Sequence, residues 1–125
     1  MTHEALTISE LLLAGLGGSL GVAIRVWLRS MAVQRKHGTW RVTLGVNAAG
    51  SIVIGLIAAP LAEMPMLRVL LVPGVLGGFT TFSGCALDAW IAVDERRWWR
   101  AATIVLGTLV GCPVLCLAVF RGVPS

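Results

Sequence analysis

Four long apolar stretches, about residues 11–29, 42–62, 69–88 and 101–120, make up most of this chain of 125 residues. Each is long enough to cross a hydrocarbon layer ~30 Å thick as a helix. A lipid interior offers no water to pair with exposed N–H and C=O groups, so such stretches fold as helices that satisfy their own backbone. The expected fold is therefore an all-α integral membrane protein, one four-helix domain over residues 1–125. A charged fraction of 13% and a mean hydropathy of +0.88 exclude an ordinary soluble domain.

The net charge of +4 does not indicate nucleic-acid binding. The basic residues sit in short links between apolar stretches, where they act as topology signals. Cys85, Cys112 and Cys116 fall inside apolar stretches and form no ligand spacing with His3 or His37, so they read as small buried hydrophobes. No Ser-His-Asp, Cys-His or paired-carboxylate constellation is present, and no enzyme is expected. Met1 to Glu10 lacks Lys and Arg, so the first stretch is expected to stay in the mature protein rather than act as a cleaved leader.

In the first stretch Gly17, Gly18 and Gly21 form a small-residue patch suited to close helix approach. Arg25 is read as an anchor that snorkels to the interface, or else as paired with a buried partner or as part of an ion vestibule. In the second stretch Thr43 and Asn47 share a helix face. The Asn47 amide serves as interhelical glue or donates to an anion, and the sequence leaves both readings open. The fourth stretch carries Thr108 and Cys112 on one face, beside Gly107 and Gly111. A threonine there ordinarily bonds back to its own helix. Trp98 and Trp99, within the charged link Asp94 to Arg100, suit the headgroup belt. Small-residue patches without partners in lipid point to a dimer.

The third stretch is the odd one. Gly74-Val75-Leu76-Gly77-Gly78-Phe79-Thr80-Thr81-Phe82-Ser83 follows Pro73 and is a poor continuous helix, because glycine weakens the ladder and proline removes a donor. Broken backbone at membrane depth is tolerated where it is buried in protein or lines a wet cavity. Its freed carbonyls suit a cation, and its N–H and hydroxyl groups suit an anion.

Gly74-x-x-Gly77-Gly78-x-Thr80-Thr81-Phe82-Ser83 resembles the signature of the Fluc fluoride channels, also called the CrcB family. Gly17-Gly18-Ser19-Leu20-Gly21-x-x-x-Arg25 resembles the family's first-helix motif, and Thr43-Leu44-x-Val46-Asn47-x-x-Gly50-Ser51-x-x-x-Gly55 its second. The resemblance covers nearly the whole chain. It implies an antiparallel dimer of four-helix subunits with a broken third helix, in a microbial plasma membrane. It also implies passive export of cytoplasmic fluoride and a structural sodium ion held by the backbone carbonyls of Gly77 and Thr80. Phe82, Asn47, Ser83 and Thr108 would line the fluoride path, with Arg25 and Gly78 in structural roles. An aromatic edge faces an anion favourably while the bulk of the ring excludes larger ions.

Where the family usually reads Thr-Phe, this chain has Gly84-Cys85, so the second pathway phenylalanine is missing. Val22, Val26 and Val42 replace the usual alanine, tyrosine and glycine. A second reading is therefore a non-conducting partner subunit in a heterodimer. A small multidrug-type exporter would need a carboxylate inside the first helix, and Glu10 lies before it. Arg29, Arg35, Lys36 and Arg41 in one link and Arg96, Arg97 and Arg100 in another share one side, against Arg68 and Arg121 on the other. That imbalance predicts one fixed orientation with both termini outside.

Overall fold

The computed structural model describes residues 7–36 and 38–124; His3 and His37, considered above, lie outside them. The described residues form helices joined by short links. α1 spans Ile8–Gln34 and α2 Thr39–Ile57. The third span comprises α3 (Pro65–Val69), a π-helical stretch Leu70–Leu76, α4 (Gly77–Phe79) and α5 (Phe82–Asp94). The fourth comprises α6 (Trp98–Leu106), a π-helical stretch Gly107–Gly111 and α7 (Cys112–Gly122). All four spans are long and apolar enough to cross a membrane.

The ends of the helices follow local chemistry. Thr7 and Glu10 close a capping box on α1, the Glu10 carboxylate accepting the Thr7 N–H at 2.8 Å. Glu10 thus lies in the first turn of α1, where it acts as a cap, and not before the helix as the sequence suggested. The sequence carries the second span to Ala62, but regular helix stops at Ile57. Pro60 has no N–H to continue the ladder and starts a short 3₁₀ turn, Pro60–Glu63. α1 and α5 each end with a basic residue in the left-handed region, Lys36 and Arg96. After α5, Arg97 N–H returns to the Ala92 carbonyl and Arg96 N–H to that of Val93, satisfying the last carbonyls.

A glycine seam joins α1 to the first half of the third span. A Cβ on Gly17 would strike the Leu70 carbonyl, one on Gly21 the Val75 carbonyl, and one on Gly78 the Gly18 carbonyl. The two backbones are in direct contact, as small residues permit in lipid. Gly55 likewise admits the Cys116 carbonyl of α7, and Gly50 admits the Thr80 side chain. The patches that suggested a dimer are largely used inside one chain, because the two motif-bearing spans satisfy each other first. Gly111, which has only its own helix nearby, is an exception.

Cys85, Ala89, Ala92, Ala101 and Ile104 make a small core between α5 and α6, with Trp40 against it. The Trp40 ring lies near the guanidinium groups of Arg41 and Arg100, at 5.4 and 5.7 Å from the ring centre. This contact ties the two basic links together at one end of the bundle. Leu12, Leu16 and Leu20 are exposed, as a lipid-facing helix requires.

Candidate functional site

Helix stops at Phe79 and resumes at Phe82. Thr80 and Thr81 between them take extended backbone, with φ/ψ of −75/154° and −149/120°. In a continuous helix the Thr81 N–H would return to the Gly77 carbonyl and the Gly84 N–H to the Thr80 carbonyl. Both donors are diverted. Thr81 N–H goes to Asn47 Oδ1 at 2.8 Å, and Gly84 N–H goes to Thr81 Oγ1 at 3.0 Å, where Thr81 caps α5. The carbonyls of Gly77 and Thr80 therefore lose the donors that a helix would supply.

Asn47 completes this exchange by donating from Nδ2 to the Thr81 carbonyl at 3.1 Å. Its side chain pairs with Thr81 as a neighbouring strand would, which satisfies both backbone groups of an extended residue at membrane depth. Asn47 is buried, and one of its two amide hydrogens has no partner among the described residues.

Beside this junction a cavity of about 350 Å³ brings together Asn47, Ser51, Thr80, Phe82 and Thr108. Three of the four residues expected to line an anion path thus share one hollow. Phe82, the first residue of α5, is exposed. The Thr108 hydroxyl is buried and has no hydrogen-bond partner among the described residues. Thr108 does not bond back to its own helix, as Thr103 does to the Trp99 carbonyl. It lies in the π-helical stretch Gly107–Gly111, a kind of local distortion often found at functional sites. An unpartnered hydroxyl and a spare amide N–H on one hollow offer two donors to an anion.

Ser83 lies elsewhere. Its hydroxyl is 3.2 Å from Thr81 Oγ1, and it lines a second cavity of about 310 Å³ with Arg25, Arg29, Thr43 and Thr81. Thr81 belongs to both hollows, so the two meet at the helix break. Arg25 faces the second cavity without a hydrogen bond or ion pair among the described residues. A lone cation at such a mouth raises the local anion concentration. Gly78 belongs to the seam, holding α4 against α1.

Sequence reasoning missed Asp88, the last residue of the third apolar stretch. Its side chain is 1% exposed and accepts from Arg29 at 3.1 and 3.3 Å, from Thr43 at 2.6 Å and from Thr39 at 3.1 Å. Arg29 also donates to Thr43 at 2.9 Å. One carboxylate thereby joins the first, second and third spans at the basic end, and it compensates Arg29 but not Arg25. The available signal was an acidic residue within an apolar stretch, which demands a partner.

Cys85 lines neither cavity. It is 2% exposed in the α5–α6 core, with its thiol 3.7 Å from the Ile104 carbonyl.

The sequence matches the family described as "CrcB-like protein, Camphor Resistance (CrcB)" over residues 12–122. It is 40% identical over 117 residues to a fluoride-specific ion channel FluC of Anaeromyxobacter sp. (strain K), covering 89% of this chain and 92% of that one. A fluoride-specific ion channel FluC of Chelativorans sp. (strain BNC1) is 39% identical over 120 residues, covering 90% and 92%. One from the archaeon Methanocaldococcus jannaschii is 36% identical over 124 residues, covering 91% and 99%.

Proposed function

This chain belongs to the CrcB family, and we propose on that premise that it is a multi-pass subunit of a fluoride-selective ion channel in a microbial plasma membrane. The channel lets cytoplasmic fluoride escape passively. Fluoride enters the Arg25 cavity, passes Ser83 and Thr81 at the helix break, and reaches the hollow of Phe82, Asn47 and Thr108. The observation that carries this reading is the convergence of those three residues on one cavity in which the Thr108 hydroxyl lacks a partner. A small, strongly hydrated anion needs donors to replace its water, and the edge of the Phe82 ring adds a weakly positive surface.

The donor-deprived carbonyls of Gly77 and Thr80 fit a structural sodium ion, a hard cation that takes uncharged oxygen ligands. When bound, it supplies a fixed positive charge that holds broken backbone in place. Gly77 is exposed on this subunit, which suits a site shared with a second subunit in an antiparallel dimer.

A second reading, a partner subunit that adds structure more than a pore in a heterodimer, is favoured by two observations. Position 85 contributes to neither cavity. The basic residues cluster at one end, which a chain inserted both ways would avoid.

The test is efflux of fluoride from vesicles reconstituted with this chain alone, with a potassium carrier to balance charge. Rapid fluoride release without chloride release is expected of the channel. Absence of release by a folded protein, restored by adding a second family member, would favour the partner-subunit reading. Equal release of both anions would overturn fluoride selectivity.

A further inference from the structure

We propose that Cys112 and Cys116 form a dithiol site for a soft, two-coordinate cation such as Hg²⁺ or Ag⁺, built into the wall of the Phe82 cavity. The two residues are four apart on α7, which places them one turn apart on one helix face. Both line the same hollow as Asn47, Phe82 and Thr108. Neither is in a disulfide.

The chemistry of the wall selects the ligand. No carboxylate or basic side chain lines this cavity, so its two thiols are the groups in its side chains that can become anionic ligands. Thiols offer what a soft cation prefers, and two thiolates one helical turn apart suit a metal that takes two ligands. For Hg²⁺, each thiol gives its proton to water as a sulfur–mercury bond forms. Two protons leave, two bonds form, and the metal keeps its oxidation state. The cation offsets the charge of the two thiolates, which would otherwise be costly in this apolar wall. The third cysteine does not take part, because Cys85 lies in the α5–α6 core with its thiol on the Ile104 carbonyl.

A cation seated there stands beside Phe82 and the free Thr108 hydroxyl, so it obstructs the cavity. That consequence rests on the channel reading, whereas binding does not.

The experiment titrates the purified protein in detergent with Hg²⁺, then desalts it and measures retained mercury and free thiols after denaturation. We expect one mercury per chain and a fall from three free thiols to one. Cys85→Ala retains the metal. Cys112→Ala and Cys116→Ala each weaken it by about 10²- to 10⁴-fold, the loss of a chelating second ligand. Elution of each variant as the folded species guards against loss by misfolding. Equal retention by the Cys112→Ala/Cys116→Ala double variant would overturn the site, as would loss of binding in a folded Cys85→Ala. In vesicles, Hg²⁺ lowers fluoride release by the parent chain and leaves the double variant at its own mercury-free rate, whatever that rate is. A parent chain that binds mercury but never releases fluoride counts against the channel reading alone.

Discussion

The Asn47 side chain holds both backbone groups of Thr81, accepting its N–H at 2.8 Å and donating to its carbonyl at 3.1 Å. One amide thus stands in for a length of helix where the third span is extended. It couples the second span to the point where the two cavities meet.

Asn47→Leu keeps side-chain bulk and leaves the Thr81 N–H and carbonyl unpaired. A buried unsatisfied group costs about 1–3 kcal/mol, so the variant should unfold at lower temperature and lose fluoride release. Thermal denaturation in detergent reads the first effect and vesicle efflux the second. An Asn47→Leu protein as stable as the parent would show that Thr81 finds other partners.

Thr108→Val should separate function from stability, because the hydroxyl it removes has no partner to lose. The melting temperature should hold or rise slightly while fluoride release falls at least tenfold. Unchanged release would remove Thr108 from the proposed path.

Phe82→Ile should abolish fluoride release without unfolding the protein, since the exposed ring carries little packing within this subunit. Size-exclusion elution checks assembly and vesicle efflux checks function. Full release by a correctly assembled variant would leave Phe82 with a packing role only.

Asp88→Ala should destabilise the bundle by about 2–3 kcal/mol, less than the loss for a fully buried pair because the Arg29 side chain remains 31% exposed. Arg29→Met in the same chain should recover part of that loss by removing the stranded charge. Denaturant titration of the single and double variants measures both. A double variant no better than Asp88→Ala would show that the threonine bonds, and not the ion pair, dominate.

Orientation is read by a reporter fused to the C-terminus. The clustering of basic residues at one end predicts a C-terminus outside in every copy. Reporters on both sides, with full fluoride resistance from this chain alone, would identify a dual-topology homodimer and remove the heterodimer reading.

Features that local chemistry controls are legible in the sequence alone. Hydropathy marks four spans because lipid admits no unpaired backbone, and Pro73 with Gly77 and Gly78 marks the third as a poor continuous helix. Features that depend on a neighbour emerge only once the spans pack. The helix opens at Thr80 and Thr81, just beyond the glycines, because Asn47 on another span takes the Thr81 backbone in place of the helix. Gly77 and Gly78 remain helical, and Gly78 serves close approach to α1 instead. Whether Asp88 ends a span or binds three of them depends on Arg29, 59 residues away along the chain. Whether position 85 faces a cavity or the core depends on where α6 packs. Spacing within one helix cannot encode such facts, since a membrane side chain's role is set by the partner that satisfies it.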